Sequence, residues 1–453
     1  MEKFDILIIG AGSAGESAVS YSAGKNKKVG LIEKARVGGA CVFNACIPTK
    51  AMVHAARMYK QMQKADFYGL PKLERSADFR KVKEFKDRII SEISEGRDER
   101  MSKKGAVVIK GTARFTSPHE VIVGEKKFKA EKIIIATGSE PAAPPIRGLE
   151  EAGYLTNISA LELDHAPKRL AVIGGGPVGI EFTQILSSFG SSIRIYEMED
   201  RILTGEDKDI SSRLTELLLK DGISISTGVK VSEIRQTQTG KLVISEDKKG
   251  ATNSDEFDDI LIAAGRKPVM EKLDLSAAGV ETSKKGIKVD SSMRTNVTHI
   301  WAVGDVTGDF YFTYVATEQA KTAALNAVSN GDREIHYDIL PRATFCDPEV
   351  GSVGLTEVQA EKQGHKVRSS KFNYADMTRA IVSDTTDGFI KIVAEEGSGR
   401  ILGGHILGAE ASTLIHEVAA ALAGSLSVDD IGDLFHSYPT FSEGIRYACQ
   451  VIS

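Results

Sequence analysis

The chain has 453 residues, 42% apolar and 26% charged, and its 58 basic and 62 acidic residues leave a net charge of −4. That is the balance of a soluble globular protein with room for two to four domains of ~100–200 residues. There is no long basic block to hold nucleic acid and no apolar run near the ~20 residues of a membrane span. Four cysteines, Cys41, Cys46, Cys346 and Cys449, are too few for a disulfide scaffold. The start of the chain reads as a first strand and not as a signal peptide, since Asp5 precedes its short apolar run and a glycine turn follows. A cytoplasmic protein is expected, in which a close cysteine pair is catalytic or metal-binding.

The first strand, Phe4 to Ile9, is apolar throughout, as a strand buried on both faces should be. It runs into Gly10-Ala11-Gly12-Ser13-Ala14-Gly15, then a helix from Glu16 to about Ala23. A second strand, Lys28 to Ile32, ends in Glu33. This is a strand–turn–helix–strand unit of dinucleotide-binding type. Phe79 to Lys103 is charged and helix-compatible. The strand Lys132 to Ile135 leads into Ala136-Thr137-Gly138-Ser139, and Pro141, Pro144 and Pro145 mark a domain edge. The first unit then returns. Arg169 to Ile173 is the strand, Gly174 to Gly179 the turn, Ile180 to Phe189 the helix, and Ser192 to Tyr196 the next strand, ending in Glu197. Gly15 to Glu33 and Gly179 to Glu197 are both eighteen positions apart, so two complete units carry more weight than one glycine turn. A second strand-to-glycine junction follows at Ile260 to Ala264 and Gly265-Arg266-Lys267-Pro268, then Ile300-Trp301-Ala302-Val303-Gly304-Asp305. From about Ile335 the pattern changes to short strands, such as Gly388 to Ala394, with helices at Thr413 to Ala423 and Ser442 to Cys449.

Each turn has a mechanism. The first glycine (Gly10, Gly174) allows the bend, the second (Gly12, Gly176) lets backbone approach a pyrophosphate, and the third (Gly15, Gly179) lets helix and strand pack. The helix start offers open N–H groups to the phosphates. Glu33 and Glu197 would each accept from a ribose hydroxyl. An acidic residue there favours NAD(H) over NADP(H), although Arg194 and Arg201 lie near enough in sequence to receive a phosphate. Cys41 and Cys46 lie in Gly39-Ala40-Cys41-Val42-Phe43-Asn44-Ala45-Cys46-Ile47-Pro48-Thr49-Lys50, a spacing that a bent or helical turn can close to disulfide distance. Pro48 suits a first helical turn, which puts Cys46 near a helix start with Lys50 one turn on; both lower a thiol pKa. Without further Cys or His nearby the pair is a poor zinc site.

The chain resembles the FAD-dependent pyridine nucleotide-disulfide oxidoreductases, the family of dihydrolipoyl dehydrogenase, glutathione reductase and mercuric reductase, over essentially its whole length. The motifs are GAGSAG, GGACVFNACIPTK, ATGSEP, GGGPVGIE, AAGRKP, WAVGDV and YPTFSEG. The resemblance implies an α/β fold with two Rossmann-like domains and a C-terminal α+β dimerisation domain. The segments are FAD-binding over 1–145, NAD(P)-binding over 146–268, a central FAD-binding segment over 269–335 and an interface domain over 336–453, in a homodimer. It implies that Cys46 contacts the flavin, that Cys41 exchanges with substrate, and that Lys50 sits by the flavin paired with Glu181. It implies that Asp305 holds the ribityl chain, and it adds Lys34, Gly39, Ala40, Ala113, Thr137, Gly138, Gly265, Arg266 and Gly304 to the cofactor contacts.

The chain departs from the family's disulfide reductases in one place. They carry a His five residues before a Glu near the C-terminus, as acid/base for the exchange thiol; here Glu443 is present but Tyr438 stands where the His should be, and His436 falls at another position. A phenol titrates near ~10, which makes it a poor proton shuttle. Mercuric reductases place a tyrosine there and a second in a YVA segment, matched here by Tyr314-Val315-Ala316. If the chain reduces a metal ion, Cys41, Cys46, Tyr314 and Tyr438 form the pocket. Against that, the vicinal C-terminal cysteines of mercuric reductases have only Cys449 as a counterpart, and no Cys-x-x-Cys metal domain precedes the first strand. The expectation is electron flow from NAD(P)H through FAD and the Cys41–Cys46 disulfide to an acceptor, in a dihydrolipoyl-dehydrogenase-like enzyme with an altered base. The alternatives are a metal ion reductase or, in another class, a flavoprotein scaffold.

Overall fold

The computed structural model describes residues 1–73 and 76–452. Internal contacts divide the chain into two compact units. The first is Met1–Ala51, Lys81–Ala143 and Gly265–His336; the second is Met52–Arg80, Pro144–Ala264 and Tyr337–Ser453.

The first unit is built on a seven-stranded sheet. Ala106–Lys110, Val29–Glu33, Glu2–Ile9 and Lys126–Ile135 lie in parallel in that order. The far edge of Lys126–Ile135 is shared: Glu120–Val123 pairs antiparallel with its beginning and Ile300–Ala302 parallel with its end. Along the first strand Ile6 and Ile8 face the helices Ser13–Ser22 and Thr313–Ser329, which meet through alanines. Leu7 and Ile9 face Phe115, Val121 and Phe128 on the other side. Both faces are therefore covered, and each fully buried Ile or Leu contributes roughly 1.5–3 kcal/mol. The first helix begins at Ser13, not Glu16, and the charged stretch from Phe79 is two helices, Phe79–Ser94 and Arg97–Lys103, parted at Gly96 in the left-handed region.

The second unit holds the repeat, a parallel sheet of Ser224–Ser226, Ser192–Tyr196, Arg169–Ile173 and Asp259–Ile262. Its C-terminal part is a five-stranded antiparallel sheet in the order Arg342–Thr344, Glu349–Gly354, Ile401–Gly408, Phe389–Glu395, Val367–Asn373. The helices Ala411–Ala423 and Glu443–Ile452 pack on that sheet. Lys391, on a central strand, is fully buried and meets Asp207, Asp209 and Glu357 at 3.1, 2.9 and 3.0 Å. Burial alone would push this ammonium down; the three carboxylates outweigh it and push it up. Removing one partner of such a cluster strands the others. Lys391→Ala is expected to cost about 3–5 kcal/mol, read from the urea midpoint; a loss below ~1 kcal/mol would mean the cluster behaves as a screened surface network.

Candidate active site

Both nucleotide turns are built alike down to their side chains. A methyl on Gly15 would meet the Gly10 carbonyl oxygen at 1.9 Å, and on Gly179 the Gly174 oxygen at 2.0 Å, so only glycine lets the helix sit this close to its strand. The helices Ser13–Ser22 and Pro177–Ser188 have Gly12 and Gly176 as N-caps without any side-chain hydrogen bond, which leaves their first N–H groups open toward an anion. Glu33 accepts from the backbone N–H of Ala11 and of Ala35, both at 2.7 Å. Glu197 accepts from Gly175 at 2.7 Å and Glu199 at 2.8 Å. Each carboxylate thus pins its own glycine turn, which spacing in the sequence did not reveal, and keeps lone pairs for a ribose hydroxyl. Uncapped helix starts beside fixed carboxylates suit two dinucleotides. The two arginines near Glu197 are occupied: Arg194 pairs with Asp255 at 3.0 Å, and Arg201 donates to the carbonyls of Glu206 and Thr204, both at 2.8 Å.

The dithiol lies against the first turn. Gly39, at φ +61°, brings its missing Cβ within 2.6 Å of Gly12 Cα, so a glycine pair seats the cysteine segment on the turn. Ala40 and Cys41 follow in the helical turn Gly39–Phe43, and Cys46 opens the helix Cys46–Gln63, with Lys50 one turn on. Both cysteines are free thiols. Cys46 is pushed down to about 6: the hydrogen bond with Cys41 is the largest influence, burial opposes it, and Thr313, the Lys50 charge and a backbone N–H assist. Cys41 is pushed up, first by the same hydrogen bond and then by burial and the Cys46 charge. The hydrogen bond between them therefore favours the charge on Cys46 over Cys41. Thr313 Oγ1 stands 3.5 Å from Cys46 Sγ. Thr313 and Ser13, which also touches Cys41, escaped the sequence reading because both are distant in the chain and close only through helix packing. Tyr314 follows Thr313, 44% exposed, its ring stacked on Phe312 at 5.3 Å.

Asp305 is held by a residue the sequence did not single out. Ser139 donates to its carboxylate at 2.5 Å, and Arg266 donates to Ser139 Oγ at 2.7 Å while standing 3.9 Å from Asp305. Burial pushes the Asp305 carboxyl up, and these two groups pull against it. Thr137 donates to the Val269 carbonyl at 2.7 Å, and the Gly138 and Gly265 carbonyls accept from Val269 and Ala142, tying the two strand-to-glycine junctions together. Gly304 N–H donates to Gln319 at 2.7 Å. Ala113 begins a strand and is buried; Lys34 is exposed beyond Glu33.

In the second unit, Glu181 is buried and accepts from the Phe345 N–H at 3.0 Å; its pairing with Lys50 remains an implication of the resemblance. Glu443 is buried and accepts from Thr440 N–H at 3.0 Å and the Tyr447 hydroxyl at 3.1 Å. Tyr438 is 70% exposed, and among the described residues it shares no hydrogen bond with Glu443. His436 is turned away, bonded to Glu417 at 2.8 Å. Cys346 and Cys449 are buried and their thiols pushed up by burial, Cys449 to about 12.

Residues 4–324 match the family model for pyridine nucleotide-disulphide oxidoreductases, and residues 340–449 match its dimerisation domain. The chain is a pyridine nucleotide-disulphide oxidoreductase. This family implies FAD and NAD(P)H. Within it, a mercuric reductase of Staphylococcus aureus is 34% identical over 447 residues, covering 98% of this chain and 82% of that one. A dihydrolipoyl dehydrogenase of Bacillus subtilis is 34% identical over 453 residues, covering 99% and 96%. The HOCl-induced flavoprotein disulfide reductase RclA from Escherichia coli, in a Cu(II) complex, superposes with a TM-score of 0.90 at 28% identity over the full length of both chains. Among the described residues no helix is long and apolar enough to cross a membrane.

Proposed function

We propose that this oxidoreductase uses NADH to reduce a thiophilic metal ion through FAD and the Cys41–Cys46 pair. The observation that carries the reading is position 438: a tyrosine stands there, 70% exposed, and Glu443 accepts from Thr440 and Tyr447, not from it. A disulfide acceptor needs a proton delivered to its leaving sulfur, whereas a metal ion takes electrons alone. Bound FAD would supply hydride acceptance from the nucleotide and electron delivery to the dithiol. The chain's own residues do the rest: the first turn, Glu33 and Asp305 hold that cofactor, the second turn and Glu197 hold NADH, and Cys46 and Cys41 divide charge and proton between them. One NADH reduces one Hg(II) to the metal, or two Cu(II) to Cu(I), and releases one proton. The mercuric reductase relatives and the Cu(II) complex of RclA support this reading. The segments 1–145, 146–268, 269–335 and 336–453 keep the roles set out for them, in a homodimer whose acceptor end is completed by the partner subunit's Tyr438.

A dihydrolipoyl-dehydrogenase reaction is the second reading, favoured by the 96% coverage of that relative. Steady-state assays with Hg(II), Cu(II), lipoamide and small disulfides separate the two. Metal turnover with little lipoamide turnover is expected, and Tyr438→His should raise the latter. Lipoamide turnover by the parent matching its metal turnover would sink the first reading.

A further inference from the structure

The second unit holds a cavity of about 430 Å³ that the chemistry above does not use, and every residue lining it belongs to that unit. This is the size of a pocket for a small organic ligand. Its walls are the later turns of Cys46–Gln63, the end of Pro177–Ser188 and loop segments that include Asp221 and Asp347. Val53, Ala56 and Ile185 make part of the lining apolar. Another part is aromatic. Tyr59 and Phe189 lie nearly parallel, 12° apart, with 5.6 Å between ring centres, and Phe79 braces Phe189 edge-on at 5.2 Å. The charges are uneven. Lys60 is shared by two carboxylates, Asp221 at 2.8 Å and Asp347 at 3.6 Å. Gln184 fixes Asp347 by donating to its carbonyl and accepting from its N–H, both at 2.7 Å. Arg57 also lines the cavity, but its charge is met by Glu349 at 2.7 Å. Two negative charges therefore face one positive charge. Burial alone would push the Lys60 ammonium down; the carboxylates outweigh it and push it up, so the field here favours positive charge. Aromatic ring faces favour it too.

We propose that this cavity binds a planar aromatic monocation, stacked against the Tyr59 and Phe189 side with its charge toward Asp221 and Asp347. A neutral ring of the same shape gains the stacking and the apolar contact but not the attraction of the carboxylates. An anion meets their excess negative charge. The site uses none of the residues assigned to FAD, to the nucleotide or to the electron acceptor, so it takes its ligand in the FAD-loaded enzyme whatever the acceptor is.

The test is calorimetric titration of the oxidised, FAD-loaded protein, with NAD⁺ at saturation to close the nucleotide site to flat ligands. The probes are 9-aminoacridine, a cation at neutral pH, and acridine, the same ring uncharged. One equivalent of 9-aminoacridine should bind, about tenfold more tightly than acridine. Asp221→Asn and Asp347→Asn should each weaken it about threefold, as expected for a partly exposed charge. Tyr59→Leu should weaken it about tenfold through the lost aromatic face. Lys60→Gln should tighten it about threefold, because it removes the competing ammonium; loss of a merely structural ion pair would not change the affinity in that direction. Retained FAD shows that each variant is folded. The proposal is overturned if the parent shows no saturable binding, if acridine binds as tightly as the cation, or if the Asp221, Asp347 and Lys60 variants keep the parent affinity.

Discussion

Cys46→Ser is expected to keep FAD bound, to lose the thiolate–flavin absorbance on reduction, and to lose about 10³-fold or more of NADH-dependent metal reduction. Cys41→Ser should lose the turnover but keep the band, because Cys46 is the sulfur on which charge is favoured and a serine can still donate to it. The pH dependence has a definite sign. A thiol held down near 6 is ionised above that value and protonated below it, so the wild-type band should be full near pH 8 and fade as the pH falls through about 6. An ordinary thiol would titrate near ~8.5. Absorbance followed across pH 5–9 decides between them. A midpoint near 8.5, or a band surviving in Cys46→Ser, would refute the division of charge.

The second large effect concerns the nucleotide. NADPH would bring a 2′-phosphate against Glu197, with Glu199 and Asp200 close in sequence, and the two arginines that could receive it are engaged elsewhere. Like charges at such a contact cost several kcal/mol. The kcat/KM for NADPH is expected to lie about 10²-fold or more below that for NADH, most of it in KM. Glu197→Ala should narrow the gap from both sides: it removes the repulsion and also loosens the turn that its carboxylate holds at Gly175. Equal kcat/KM for the two nucleotides in the parent would overturn the assignment.

Much of this molecule could be read from its sequence because its chemistry is local. A glycine turn, the helix start behind it and the carboxylate at the end of the next strand are close in the chain, and their spacing is set by the length of one helix and one strand. The Cys41–Cys46 segment is local in the same way: five positions separate a sulfur in one short helical turn from a sulfur at the start of the next helix, with Lys50 a turn further. Those features, and the family they indicate, were legible without coordinates. The contacts that tune them were not. Ser139 reaches Asp305, Arg266 reaches Ser139, and Thr313 reaches Cys46, each across more than a hundred residues. Nothing in a single sequence ties such positions together, since they meet only where separate strands and helices pack. The same holds for Arg194 and Arg201. Sequence alone places both beside Glu197 as possible phosphate ligands, and only tertiary pairing decides that Asp255 and two carbonyls hold them. Residue types close together in the chain thus pointed to two nucleotide turns and a cysteine pair. Which sulfur carries the charge, and whether Glu443 serves a base or caps a loop, depended on neighbours that folding alone supplies.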